Sequence, residues 1–247
     1  MKSEVRFNFR LHTSHFTLQT SHFRLQTSDF RLHTFVKLSR AFYDRPTLDV
    51  ARDLIGKVLV HRRHGSQTSG AIVEVEAYIG ESDPACHAAP GPTRRNEPLY
   101  GPPGHAYVYL NYGVHYLVNV VTEAAGRPAA VLIRALAPRD GVRAMRRRRA
   151  RTAPASRAHT ARVLDDDALC RGPGNLTAAM GITLKENCAD LLGDRLFIED
   201  HGLEVGPIAW GPRIGITVGR ERRWRAYAVG SRAVSASRQR EKDKRQK

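Results

Sequence analysis

Residues 71–79 alternate between apolar and mostly polar side chains, which is the pattern of a β-strand. One face carries Ala71, Val73, Val75, Ala77 and Ile79, and the other carries Ile72, Glu74, Glu76 and Tyr78. Since successive side chains of a strand point to opposite faces, Glu74 and Glu76 share one face of a central, apolar strand. A carboxylate there is costly unless it is hydrogen-bonded or paired, so each is a candidate general base. The alternative is a half-exposed strand with ordinary surface glutamates.

The remaining core pattern predicts an α+β fold with a mostly antiparallel sheet. Helices are expected at residues 47–55 and 139–151, and as two short segments within 164–180 that are broken at 172–174. Further strands are expected at 57–63, 106–110, 114–121, 129–136, 196–198, 213–218 and 227–229. Residues 64–69 are predicted to form a turn. Residues 84–104 are predicted to form a loop long enough to be functional.

The chain of 247 residues is strongly basic, with a formal net charge of +16. The excess persists between its charged ends, which favours nucleic acid as a partner, with a solubilising surface as the alternative. The cysteines, Cys86, Cys170 and Cys188, form no C-x-x-C pair, so no metal site is expected, and their sparseness suits a reducing compartment. No apolar run approaches the ~20 residues of a membrane span, and the N-terminus lacks a signal peptide. We therefore expect no membrane partner and an intracellular, cytoplasmic, nucleoid-associated protein.

Both ends of the chain lie outside the expected domain, residues 38–231. Residues 11–37 repeat with a period of seven, and the Leu and Phe of each unit fall five and two residues apart. Neither a helix nor a strand buries that spacing consistently. Residues 1–37 are therefore predicted to be a low-complexity, disordered tail, with translated repeat DNA or a flexible DNA-holding arm as alternatives. Residues 232–247 are predicted to be a solvated basic tail.

Tyr112 lies in the bend between two apolar strands, where Asn111 and Gly113 already supply turn chemistry. A large aromatic side chain gains little for the core at that position. Tyr112 is therefore predicted to project outward, where a ring can act as a wedge between stacked bases. The alternative is a ring folded back on its own hairpin.

Aromatic and basic side chains cluster around that bend. The aromatic set is Tyr78, His87, Tyr107, Tyr109 and Tyr116, and the basic candidates are Arg94, Arg95, Arg146 and the three arginines that follow it. A base held outside the duplex needs stacking faces and polar edges, and phosphates need cations. Core packing of the rings and a solvated helix face for the arginines are the alternatives.

The chain carries a set of motifs in a fixed order. They are Val73-Glu-Val-Glu-Ala-Tyr-Ile-Gly80, Cys86-His87, Thr93-Arg-Arg-Asn96, Gly101-Pro-Pro-Gly-His-Ala-Tyr-Val-Tyr109, Tyr112-Gly-Val-His-Tyr116, Asn119, Val131-Leu-Ile-Arg134, Cys170-Arg-Gly-Pro-Gly-Asn-Leu176 and Arg213-Ile-Gly-Ile216. From about residue 38 to about residue 231, the chain resembles the alkyladenine (3-methyladenine) DNA glycosylases of the bacterial type. The resemblance implies a single compact domain on a curved, open-barrel-like antiparallel sheet with surrounding helices, with no metal and no cofactor.

The resemblance also implies a role for each site residue. Glu76 is the base that activates water, Arg134 helps to hold that water, and Glu74 is a supporting carboxylate. Tyr112 fills the gap left in the duplex. The base pocket consists of two stacking rings and two polar neighbours, Tyr78, Tyr109, His87 and Asn119.

The implied activity is hydrolysis of the N-glycosidic bond of a damaged purine in double-stranded DNA, by a monomer. The implied lesions are 3-methyladenine and 7-methylguanine, and the range extends to hypoxanthine or ethenoadenine. No lysine stands in the constellation, so we expect a monofunctional enzyme. Arg94, Leu99-Tyr100 and Val114 depart from the residues common in the family and leave lesion preference open. A non-catalytic nucleic-acid-binding module and an enzyme acting on tRNA are the rival hypotheses.

Overall fold

The computed structural model describes residues 35–63, 65–152 and 164–235. The elements are β1 (Val36–Lys37), α1 (Arg40–Tyr43), α2 (Thr47–Leu54), β2 (Val58–Arg63), β3 (Ser66–Ile79), β4 (Ala106–Asn111), β5 (His115–Val121), β6 (Ala129–Pro138), α3 (Val142–Thr152), α4 (Asp166–Leu169), α5 (Pro173–Met180), β7 (Leu196–Asp200), β8 (Ile208–Gly211) and β9 (Arg225–Ala228). Short 3-10 turns occupy Glu97–Tyr100 and Leu184–Glu186. The predicted α+β class is confirmed. The predictions for residues 1–34 and for the tail beyond Ser235 lie outside the described residues.

The strands form one antiparallel sheet that curls into a half-barrel. Its order is β1-β7-β2-β3-β6-β5-β4, with β9 also paired to β3 and β8 paired to β9. Since β6 runs along one side of β3, the strands β2 and β9 share the other side. There β2 pairs with residues 66–71 of β3 and β9 pairs with residues 74–76. This makes β3 the central strand. Glu74 and Glu76 both come after the point where its neighbour changes from β2 to β9.

A β-bulge lies just before the glutamates. The register between β3 and β6 shifts between Ile72 and Glu74 and again between Glu74 and Val75. A bulge re-aims the side chains on either side of it. Ile72 therefore packs in the same core as Val73 and Val75, and the prediction that it shares the glutamate face is wrong. Glu74 and Glu76 are both fully buried, which excludes the alternative of surface glutamates.

Two further predictions fail near the ends of elements. The turn expected at 64–69 is shorter, because β3 already begins at Ser66. Residues 213–218 do not form the expected strand, and the strand lies earlier, at Ile208–Gly211. The backbone N–H of Ile214 donates to the Glu76 carboxylate instead of to a neighbouring strand.

Packing continues on both sides of the expected 38–231 boundaries. Before residue 38, β1 pairs with β7. After residue 231, Ala233 is fully buried and Ser235 hydrogen-bonds to Glu74. The segment after residue 231 therefore contacts the centre of the sheet. No helix in the described ranges is long and apolar enough to cross a membrane.

Candidate active site

Glu76 is a fully buried carboxylate that receives donors on both oxygens. The Ile214 N–H donates to Oε1 at 2.6 Å, and the Tyr78 hydroxyl donates to Oε2 at 2.9 Å. Nη1 of Arg134 lies 3.1 Å from Oε2. Burial raises the pKa of Glu76, while the Arg134 charge and the Ile214 N–H oppose that rise. A carboxylate held in this way is oriented and has the raised basicity that suits a general base.

Arg134 is buried between the two glutamates. It stands in β6 where the register skips a residue, between Ala135, which pairs with Glu74, and Ile133. Its Nε donates to Oε1 of Glu74 at 3.2 Å, and its Nη1 faces Glu76. Burial alone would lower the pKa of Arg134, but Glu76 and Glu74 raise it, so the guanidinium stays charged. Arg134 therefore links a supporting carboxylate to the candidate base.

The outer part of this network comes from residues that the sequence did not single out. Arg225 in β9 donates from Nη1 to Oε1 of Glu74 at 2.9 Å. The N–H and hydroxyl of Ser235 both approach Oε2 of Glu74. With Arg225 included, two guanidiniums balance the two carboxylates, which lowers the cost of burying them.

Tyr78 is fixed on one side by a second buried ion pair. Asp83 and Arg213 form a bidentate pair, with Nη1–Oδ2 at 2.6 Å and Nη2–Oδ1 at 2.8 Å. The Arg213 guanidinium lies 4.7 Å from the centre of the Tyr78 ring and 5.2 Å from that of Trp224. One face of Tyr78 is therefore covered by a cation. Sequence reasoning did not identify Asp83, and it noted Arg213 only within a motif.

A second aromatic wall is built on β4 and the loop before it. The His87 ring lies 4.4 Å from the Tyr109 ring, and Nδ1 of His87 lies 2.8 Å from the Tyr107 hydroxyl. The Asn119 amide donates to the Tyr107 carbonyl at 3.0 Å across the β4–β5 ladder. Tyr78 and Tyr109 both pack against the cluster that contains Tyr107. The predicted pocket residues thus meet in one region of the fold.

The ionisation of this wall follows from its burial. Burial and, secondarily, Arg95 lower the pKa of His87, so its imidazole is neutral at neutral pH. Burial also raises the pKa of Tyr107 to about 12, and raises that of Tyr109. The wall therefore offers neutral rings and neutral hydroxyls.

Tyr112 projects from the hairpin between β4 and β5, as the turn composition predicted, and is 89% exposed. The Val114 N–H bonds the Asn111 carbonyl at 3.1 Å, and φ is +48° at Tyr112 and +68° at Gly113. Two positive φ values define a type I′ turn, which a bulky aromatic seldom enters. The backbone at Tyr112 is strained and its exposed ring gains little from packing, which indicates that the ring has a function.

The candidate phosphate-binding arginines are placed differently from one another. Arg94 is exposed, and Arg95 is exposed and donates to the Leu110 carbonyl near the β4–β5 turn. Arg146 is partly exposed, and its guanidinium is bonded to the Leu164 carbonyl and to Asp166. The exposed arginines of α3 are Arg143, Arg147 and Arg151.

All three cysteines are free, and only Cys188 is exposed. Within the described part of the chain, no group of three or more His, Cys, Asp or Glu side chains is arranged to hold a metal ion. The expectation that the reaction uses no metal stays a prediction.

Known proteins resemble this chain over most of its length. A family model described as methylpurine-DNA glycosylase matches residues 41–232. A protein of Methanocella arvoryzae is 48% identical over 202 residues, which span 80% of this chain and 95% of the relative. A protein of Clostridium acetobutylicum is 44% identical over 210 residues, 81% of this chain and 98% of the relative. A protein of Chlorobaculum tepidum is 42% identical over 202 residues, which span 81% of this chain and 90% of the relative. Each is named "Putative 3-methyladenine DNA glycosylase".

Proposed function

Because the chain belongs to the methylpurine-DNA glycosylase family, whose members are monofunctional, hydrolytic DNA glycosylases, we propose that it removes alkylated purines from duplex DNA. The lesions we assign to it are 3-methyladenine and 7-methylguanine, with hypoxanthine and ethenoadenine as slower substrates. The product is an abasic site, which makes this the first step of base excision repair. We propose that the enzyme acts as a monomer.

The observation that carries the proposal is the environment of Glu76. This carboxylate is fully buried, yet it is bonded by Ile214 and Tyr78 and paired with Arg134. A buried charge at the centre of a sheet does not help folding, because desolvation opposes its Coulombic gain. Its position beside a wall of neutral aromatic side chains supports a chemical role.

In the proposed reaction, Glu76 accepts a proton from water as the water oxygen bonds to the sugar C1′. The bond between C1′ and the purine nitrogen breaks, and its electron pair leaves with the base. Positive charge develops on the sugar as that bond lengthens, and the negative charge of Glu76 stabilises it. Arg134 holds Glu76 in its ionised form and contributes to the position of the water.

The base reaches this water by leaving the helix. Tyr112 is proposed to fill the gap in the duplex, and its exposed ring at the tip of a rigid hairpin supports that role. Unstacking costs a few kcal/mol and costs least at a damaged pair. The flipped base is proposed to stack between the rings of Tyr78 and Tyr109, with His87 and Asn119 at its edge.

Lesion choice follows from the charge of the base. Purines methylated at N3 or N7 are cationic, so they stack well on tyrosine rings and leave without protonation. Neutral hypoxanthine and ethenoadenine need a proton on the leaving group, which makes their release slower. Phosphate contacts are assigned to Arg94 and Arg95 and withdrawn from Arg146, whose guanidinium is occupied by Asp166 and Leu164.

A substrate panel tests this assignment. Methylated duplex DNA and duplexes with one hypoxanthine or one ethenoadenine are incubated with excess enzyme, and the released bases are identified by mass spectrometry. We expect 3-methyladenine and 7-methylguanine to be released fastest, with no strand cleavage before alkali and no adduct after borohydride. Binding to these duplexes with no release of any base would instead show that the protein is a non-catalytic DNA-binding module. Preference for tRNA over damaged duplex in competition would support the RNA enzyme.

A further inference from the structure

The last residue that the structure describes, Ser235, reaches into the buried charge network. Its Oγ lies 2.8 Å from Oε1 and 2.6 Å from Oε2 of Glu74, and its backbone N–H donates to Oε2 at 2.8 Å. Its Oγ also lies 3.5 Å from Nη2 of Arg134. Ser235 falls outside residues 41–232, the segment that the family model matches.

The two oxygens of Glu74 share the Ser235 hydroxyl but differ in their other partners. Oε1 also receives Nε of Arg134 at 3.2 Å and Nη1 of Arg225 at 2.9 Å. Within the described residues, the hydrogen bonds to Oε2 come from Ser235 alone. Because Glu74 is fully buried, no bulk water reaches Oε2 to replace the serine.

We propose that Ser235 is a positioning residue for the glycosylase reaction: by fixing the Glu74 carboxylate, it aims the Arg134 guanidinium at Glu76. This role rests on the proposed function. Glu74 binds the Nε edge of Arg134, and the opposite part of the guanidinium, Nη1, faces Oε2 of Glu76. A Glu74 carboxylate that lacks its serine hydroxyl can rotate, and Arg134 then loses the contact that sets its direction.

The effect of Ser235 on Glu76 passes through charge as well as geometry. The groups that act on Glu76 include Arg134, the Ile214 N–H, the Tyr78 hydroxyl and the Glu74 charge. Arg213 and Tyr109 interact with its charge as well. Among these, Arg134 is the principal cation that favours the ionised form. If Arg134 moves away, Glu76 accepts a proton at a higher pH, and the acid limb of the rate profile moves upward. A side chain that merely fills space would not move that limb.

The test compares Ser235→Ala, which loses only the hydroxyl, with Ser235→Thr, which keeps it. Arg232→Ala is the matched control, since Arg232 anchors the same segment to Asp165 and Asp167 without contacting the network. Single-turnover release of 3-methyladenine is measured from pH 5 to 9, with affinity for an abasic duplex and the melting temperature measured in parallel. Glu76→Gln serves as the inactive reference.

We expect Ser235→Ala to slow release about 10-fold at neutral pH, as for a lost hydrogen bond to a buried charge, with DNA affinity unchanged. The acid limb of the pH–rate profile of Ser235→Ala moves to higher pH. Ser235→Thr has the rate and the acid limb of the wild type, and so does Arg232→Ala. If Ser235→Ala melts far below the wild type, Ser235→Cys replaces it, and the same rate loss and limb shift are expected.

Two results overturn this role while leaving the glycosylase intact. One is an active wild type whose Ser235→Ala variant keeps its rate and its acid limb. The other is an equal loss in Ser235→Ala and Arg232→Ala, which would assign the effect to anchoring of the segment. A wild type that releases no base would instead overturn the proposed function, and the role of Ser235 with it.

Discussion

Nη1 of Arg134 lies 3.1 Å from Oε2 of Glu76, and both side chains are buried. The pair joins the middle of β3 to the register shift of β6. Its cation is also held by Glu74, so Arg134 cannot swing out to solvent without breaking its ion pairs with both carboxylates. Arg134 therefore stabilises the negative charge of Glu76 at a buried position where bulk water cannot solvate it.

The rate of base release should therefore depend on the ionisation of Glu76. Burial raises the pKa of Glu76 above its ordinary value of 4.5. Since the ionised form acts as the base, the rate is expected to be constant near neutral pH and to fall on acidification, with a midpoint above 4.5. The measurement is a pH series of single-turnover release, corrected for spontaneous loss and checked by circular dichroism. A midpoint at or below the ordinary value would contradict the role of burial.

Replacing Tyr112 should raise the stability of the fold and lower the rate of base release. Asparagine enters the positive-φ region far more readily than tyrosine, so Tyr112→Asn is expected to stabilise the fold by about 0.5–1 kcal/mol. The same change removes the wedge and should slow base release from duplex DNA at least about 10-fold, since a few kcal/mol of unstacking is no longer offset. Melting temperature and single-turnover rate are measured together, with Tyr112→Phe as the control that retains the ring. Wild-type release by Tyr112→Asn would remove Tyr112 from the mechanism.

The Asp83–Arg213 pair should be a major and pH-dependent contribution to stability. Asp83→Asn leaves the Arg213 charge buried and unpaired, which is expected to cost about 3 kcal/mol. Burial raises the pKa of Asp83, but the hydrogen bonds and charge of Arg213 outweigh it and lower the pKa below 3.8. The stabilisation is therefore present above the unfolded-state pKa and is lost as the pH falls through the lower, folded-state value.

Urea unfolding of wild type and Asp83→Asn at neutral and acidic pH measures this contribution. The control is Asp53→Asn, because Asp53 pairs with Arg45 at a partly exposed site and should matter by less than about 1 kcal/mol. Equal losses in the two variants, or a gap that widens on acidification, would show that the buried pair does not act as described.

Arg94 and Arg146 should separate DNA binding from stability. Each phosphate contact contributes about 0.9 to the slope of log affinity against log salt, so Arg94→Gln is expected to lower that slope by about this amount. Arg146→Gln loses its contacts to Asp166 and Leu164 and should lower the melting temperature with the slope unchanged. Binding to undamaged duplex across a salt series decides between them. A reduced slope for Arg146→Gln alone would reverse the assignment.

Local pattern identified Glu74 and Glu76 as candidate bases, and the family resemblance distinguished Glu76 from Glu74 and added Arg134. The alternation around Glu76 predicts a strand, and the composition of the hairpin predicts an outward Tyr112. The contacts of Arg146 were not predictable, because they depend on a carboxylate and a carbonyl from a separate segment. Ser235 and Glu74 are 161 residues apart, and no periodicity links a serine near a basic tail to a strand glutamate. The bulge that places Ile72 in the core likewise has no signal in the alternation.

The most direct test of the account is Glu76→Gln, measured by single-turnover release of 3-methyladenine from duplex DNA. Glutamine keeps the size of the side chain and its place beside Arg134, but it cannot accept a proton from water. The account predicts that release falls at least about 100-fold, within the range of a lost general base, while affinity for an abasic duplex and the melting temperature are retained. Release at the wild-type rate by a folded, DNA-binding Glu76→Gln protein would contradict it.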